Sequence, residues 1–126
     1  MIIGIDFDGT MVDHMFPQIG EPVPHAVNSV RAFQSVGAKI ILWTMRSDSE
    51  EAGSVLTEAV DYMNSNGIIL YGINQNPDQH WSKSPKAYCN IYIDDAAFGC
   101  PLIKYPGFER PCVNWAIVGS QVLRML

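Results

Sequence analysis

The stretch Ile2-Ile3-Gly4-Ile5-Asp6-Phe7-Asp8-Gly9-Thr10 changes character abruptly at Asp6. Its first half is apolar without alternation, the pattern of a strand buried on both faces. Its second half places two carboxylates one residue apart and then a glycine, where the chain can turn sharply. Three further runs repeat the plan of an apolar strand ending in polar residues. Lys39-Ile40-Ile41-Leu42-Trp43 leads into Thr44-Met45-Arg46, Ile68-Ile69-Leu70-Tyr71 into Asn74-Gln75-Asn76-Pro77, and Ile91-Tyr92-Ile93 into Asp94-Asp95. A weaker fifth strand is expected around Leu102-Ile103-Lys104-Tyr105.

Helical spacing fills the intervals. Val27, Val30, Ala32, Phe33 and Val36 predict a helix starting near Pro24 and stopping at Gly37. Ser47-Asp48-Ser49-Glu50 has the form of a capping box and predicts a helix running through Val55, Leu56, Ala59, Val60 and Met63 to Asn66-Gly67. A last helix is expected from about Val113 to Met125, with Trp115, Ile117, Val118, Val122 and Leu123 packing on the sheet. Residues 11–23 and 74–88 read as loops. Strands alternating with helices imply βαβ units and a mostly parallel sheet. The expectation is an α/β fold: a single three-layer Rossmann-like domain over residues 1–126, with about five strands covered on both faces.

Composition limits the function classes. The chain has 126 residues, 48% hydrophobic and 17% charged, enough for one packed core and unlike a disordered chain. A net charge of −5 argues against general nucleic-acid affinity, although a phosphorylated nucleic-acid end stays within reach of a local site. No apolar run approaches the roughly 18 residues of a membrane span, and the N-terminus lacks a signal-peptide pattern. A soluble, cytoplasmic protein without a membrane partner is expected. Cys89, Cys100 and Cys112 lack metal-ligand spacing and read as buried or incidental thiols. His14 and His80 read as loop residues.

Ligands of open α/β sheets bind outside the carboxyl ends of the strands. Asp6, Asp8, Asp94 and Asp95 would meet there and repel one another unless a cation lay among them. Oxygen-only ligands suit Mg²⁺. A carboxylate nucleophile beside such an ion points to phosphoryl chemistry through an aspartyl-phosphate.

Asp6-Phe7-Asp8-Gly9-Thr10-Met11-Val12 resembles the first signature of the haloacid dehalogenase-like (HAD) phosphatases. Thr44 closing a strand resembles the second, a lysine ahead of the fourth strand the third, and Ile93-Asp94-Asp95 the fourth, all in the family's order. The resemblance implies that Asp6 attacks phosphorus and that Asp8 serves as general acid and then base. It implies that Thr44 donates a hydrogen bond to a phosphoryl oxygen, and that Lys86, with Lys83 as the other candidate, neutralises Asp6 and the phosphoryl group. Mg²⁺ would be held by Asp6, the main-chain carbonyl of Asp8, and Asp94 with Asp95. Phosphate contacts are expected from backbone groups of Phe7, Gly9 and Thr10, from Thr44-Met45, and from the lysines. Arg46 is read as a contact to the phosphate or leaving group, as a surface arginine, or as a carboxylate partner within the site.

Only 37 residues separate Asp6 from Thr44, and 41 separate Thr44 from Lys86. Neither interval holds a folded cap, so the resemblance is to capless members. Their substrates are bulky, or a neighbouring subunit closes the site. The expected protein is a Mg²⁺-dependent phosphomonoesterase, monomeric or a homo-oligomer, acting on a phosphorylated substrate whose class the sequence leaves open. The other reading is a non-catalytic or phosphotransferring regulatory protein on the same fold. A receiver domain is disfavoured by motif order, since it would need a lone aspartate after a middle strand.

Overall fold

The computed structural model describes residues 1–126. Four strands, β1 (Ile2–Ile5), β2 (Lys39–Leu42), β3 (Leu70–Ile73) and β4 (Ile91–Ile93), form one parallel sheet in the order β3-β2-β1-β4. Helices α1 (Ala26–Ser35) and α2 (Val55–Ser65) make the first two crossovers. The fifth expected strand is not part of this sheet. Leu102–Ile103 (β5) pairs antiparallel with Cys112–Val113 (β6) as a separate small hairpin, after which α3 (Trp115–Leu123) ends the chain.

Ile3, Ile5, Ile40, Leu42 and Ile93 belong to a single buried core with Val30 and Phe33 of α1, Ala59 and Met63 of α2, and Trp115, Val118 and Val122 of α3. All three helices therefore cover one face. Two right-handed crossovers that step in the same direction, β1 to β2 to β3, require this placement of α1 and α2. The alternate positions of the strands face the other way. There Gly4 abuts Cys89 and the Tyr92 ring, and that face is covered by irregular chain around Ala87 and Cys89. The expected three-layer arrangement is thus corrected to one helical layer, one sheet, and a coil covering. The apolar runs of β1 and β2 are buried on both sides as expected.

Local boundaries differ where capping acts at a distance. Helix α2 begins at Val55, not at Ser47-Asp48-Ser49-Glu50. Ser49 and Gly53 bond reciprocally in a tight turn, and Asp48 reaches over it to accept the Leu56 and Thr57 amides at 2.8 and 3.0 Å. Ile68 plugs the core after the Gly67 turn, so β3 starts two residues later than its hydrophobic run. Helix α1 begins at Ala26 rather than Pro24, and Val113 belongs to β6 rather than to the last helix, where Ile117 and Leu123 are exposed. The α1–α3 contact is close. Phe33 and Trp115 rings lie 6.2 Å apart, and a Cβ on Gly119 would fall 2.4 Å from Ser29 Oγ.

Candidate active site

The β-ladder continues one residue past each strand. Trp43 N–H donates to Ile5 O (2.8 Å), Asp6 N–H to Ile93 O (3.0 Å) and Asn74 N–H to Leu42 O (2.8 Å). Register alone therefore brings the residues after β1, β2, β3 and β4 to one sheet edge. Carboxylate oxygens of Asp6, Asp94 and Asp95 lie there within 4.8 Å of one another. Burial, and next the charge of Asp94, push the Asp6 carboxyl up to about 8; Asp94 is also raised, chiefly by burial. Hard oxygen donors crowded to this degree fit a divalent cation such as Mg²⁺, whose charge would let all three ionise.

The turn after β1 is built around Thr10. Its hydroxyl donates to Asp6 Oδ2 (2.9 Å) and accepts from the Asp95 amide (3.3 Å), tying β1 to β4 across the site. The Gly9 and Thr10 amides donate to Val12 O and Phe7 O inside the turn, which corrects their expected role as phosphate donors. Phe7 is fully buried with its ring edge-on to Tyr62, and its amide supports the Asp6 carboxylate. Gly9 has φ +83°, and a Cβ there would fall 2.2 Å from His14 Nε2 and 2.4 Å from Asp95 Oδ2. Only glycine fits. Trp115 Nε1–H donates to Thr10 O (2.7 Å) and Val113 N–H to Gly9 O (3.0 Å), so β6 and α3 hold the turn from behind.

Arg46 is only 2% exposed. Its Nε and Nη2 donate to the two Asp8 oxygens, both at 2.8 Å, and the guanidinium also donates to the carbonyls of Pro17, Gln18 and Val55. Of the readings of Arg46, the carboxylate partner is the one observed; it is neither a surface arginine nor free to grip a phosphate. The arginine knots the 11–23 loop and the start of α2 to Asp8.

Thr44 donates its amide to Asn74 Oδ1 (2.8 Å), and its hydroxyl oxygen accepts from the Arg46 amide (3.1 Å). The hydroxyl proton is left to face the site. Asn74 sits at φ 52°, a left-handed position that asparagine tolerates, and acts here as a positioner of Thr44. Two cavities, about 370 and 340 Å³, open over Asp6, Thr44 and Asp94. Met45, 97% exposed, stands on the rim of both.

The lysines stand elsewhere. Lys86 Nζ lies over the Tyr92 ring (5.4 Å to its centroid), and Lys83 lines a cavity that adjoins the carboxylates; neither lines the carboxylate cavities themselves. Neither Lys86 nor the alternative Lys83 makes the ion pair with Asp6 that was expected of one of them. The irregular 74–88 segment takes its shape from Gln79, whose carboxamide bonds Lys86 O and Tyr88 N–H, and no periodicity in the sequence encodes that.

The site also holds His14, expected only as a loop residue, together with Asp13 and Arg110, which carried no signal in the sequence. His14 Nε2 lies 3.1 Å from Asp95 Oδ2, while its Nδ1 lies 2.6 Å from Arg110 Nη2, and both residues line the cavity over Asp8 and Asp95. Buried Asp13 accepts the Glu109 amide (2.9 Å) and so docks the segment that carries Arg110. These contacts span some 96 positions of chain, beyond any local signal. All three cysteines are free, with burial raising each thiol.

The class defined by this fold and site is an α/β protein with a four-stranded parallel sheet, three helices, and a carboxylate cluster at the carboxyl edge. No family model matches the chain, and no curated protein does. A solved structure of a conserved protein from Bacteroides thetaiotaomicron superposes with a TM-score of 0.78 at 30% identity, covering 100% of this chain and 92% of that one. The chain belongs to the same family as that conserved protein.

Proposed function

We propose that the chain is a Mg²⁺-dependent phosphomonoester phosphatase of the capless haloacid dehalogenase-like kind, working through an aspartyl-phosphate on Asp6. The observation that carries this reading is the convergence of Asp6, Asp94 and Asp95 within 4.8 Å, beside a Thr44 whose hydroxyl proton is uncommitted. Bound by these carboxylates and the Asp8 carbonyl, Mg²⁺ would supply the positive charge that lets Asp6 ionise at neutral pH. An Asp6 oxygen attacks phosphorus as the bond to the leaving oxygen breaks, and Asp8 gives that oxygen its proton. Water then attacks the phosphoryl group, Asp8 takes the water's proton, and the Asp6 carboxylate is released. Thr44 donates to a phosphoryl oxygen throughout.

Arg46 takes one acceptor site on each Asp8 oxygen, so the carboxylate proposed as acid and base is also committed to a structural ion pair. That observation favours a second reading, in which Asp6 is phosphorylated but turned over slowly, as in a phosphotransferring regulatory protein. A phosphate-ester panel with Mg²⁺ and an Asp6→Asn control tests the first reading. Steady phosphate release lost by about 10³-fold or more in the variant supports it. A single stoichiometric burst without turnover supports the second, and equal release from both proteins refutes Asp6 as nucleophile.

A further inference from the structure

The larger of the two cavities over Asp6 shares Asn74 and Pro85 with a neighbouring cavity of about 370 Å³. The neighbour has no carboxylate in its lining and contains Lys83, which makes no ion pair. Its hydrogen-bonding groups are sorted by what the fold already uses. Ser82 Oγ accepts the Ser84 amide (3.1 Å), Ser84 Oγ accepts the Lys86 amide (3.2 Å), and Asn74 Oδ1 accepts the Thr44 amide (2.8 Å). The donors left over are two hydroxyl protons, the Asn74 Nδ2 protons and the Lys83 ammonium. The uncommitted Gln75 carboxamide adds two donors and one acceptor. The wall is fixed in advance, because Asn76 and Gln79 are bonded to the backbone of the same loop. A cation set among neutral donors, with no carboxylate in the lining, is complementary to an oxyanion.

We propose that this cavity is an oxyanion-binding subsite. Its role in turnover rests on the phosphatase reading: there it holds a carboxylate or second phosphate of the leaving group, so the preferred substrate is a phosphomonoester that carries a further negative group. Anion binding itself does not depend on that reading.

Two measurements separate the claims. First, ¹⁵N-labelled full chain in chelator, without divalent cation, is titrated with inorganic phosphate at fixed ionic strength. Saturable shifts at Asn74, Gln75 and Ser82 to Ser84, weakened about tenfold by Lys83→Gln, are expected. No saturable shift in this loop, or shifts confined to His14 and Arg110, overturns the subsite. Second, kcat/KM with Mg²⁺ is compared for size-matched hexose esters: neutral glucose 6-phosphate, cationic glucosamine 6-phosphate, 6-phosphogluconate with a carboxylate, and fructose 1,6-bisphosphate with a second phosphate. About a tenfold preference for an oxyanion-bearing ester is expected, with its ratio to glucose 6-phosphate collapsing in a Ser82→Ala/Ser84→Ala variant. Which of the two anionic esters leads identifies the group. Equal values across the series, or a lead for glucosamine 6-phosphate, overturn the proposal. Phosphate binding without hydrolysis of any ester leaves the subsite standing and removes the phosphatase reading instead.

Discussion

Asp6 carries a proton in the metal-free fold that it would lose in the unfolded chain, because its carboxyl rises from 3.8 to about 8 on burial beside Asp94. Between these values the folded state binds more protons, so this group's contribution to stability falls as pH rises from about 4 to about 8. Asp94, raised in the same direction, adds to the slope. Metal-free wild type is therefore expected to lose melting temperature relative to Asp6→Asn across that window, with the variant the more stable at pH 8. Parallel melting curves for the two proteins from pH 5 to pH 8 would show that the carboxylates are not strained. At Arg46 the expectation is structural. Arg46→Ala strands Asp8 and frees the carbonyls of Pro17, Gln18 and Val55, and is expected to cost about 2–4 kcal/mol in denaturant titrations. A carboxylate partner was one of the roles the sequence left open for Arg46, but which carboxylate was not legible, because a pairing across 38 positions is set by how the 11–23 loop folds back.

At the scale of elements, buried apolar runs and the polar residues that follow them were readable because both follow from a parallel sheet. Register then aligns Asp6, Thr44, Asn74 and Asp94 without further information. Element boundaries were less readable where a side chain acts over a turn, as Asp48 does on Leu56 and Thr57. The lysines were hard to place for a related reason: residues 74–88 have no period, and the path of the segment is fixed by carboxamide bonds from Asn76 and Gln79 to its backbone. The α1–α3 contact was invisible, yet it is tight enough to test. Gly119→Ala puts a methyl 2.4 Å from Ser29 Oγ and is expected to cost about 1–3 kcal/mol, with part of the loss recovered by Ser29→Ala. An undiminished Gly119→Ala stability would mean that the helices pack less closely than described.

For the whole molecule, placing all three helices on one face leaves the other to the irregular chain that also builds the donor-rich cavity. The covering segment is thus both the second face of the fold and the neighbour of the site. A cation at the carboxylate edge would join β1 to β4 and stabilise the molecule by mass action. Mg²⁺ is expected to raise the melting temperature of wild type at pH 8 in a concentration-dependent way, and to do so far less in Asp6→Asn. An equal rise in both would place the ion elsewhere.

The account stands or falls on Asp6 as the group that takes the phosphoryl. The direct measurement is acid quench of protein turning over a phosphate ester with Mg²⁺, borohydride reduction, and peptide mass spectrometry. Reduction of an acyl phosphate converts the aspartate to homoserine. The expected result is homoserine at position 6, dependent on both ester and Mg²⁺. Phosphate release that continues with position 6 unmodified, or modification at another aspartate, would contradict the account.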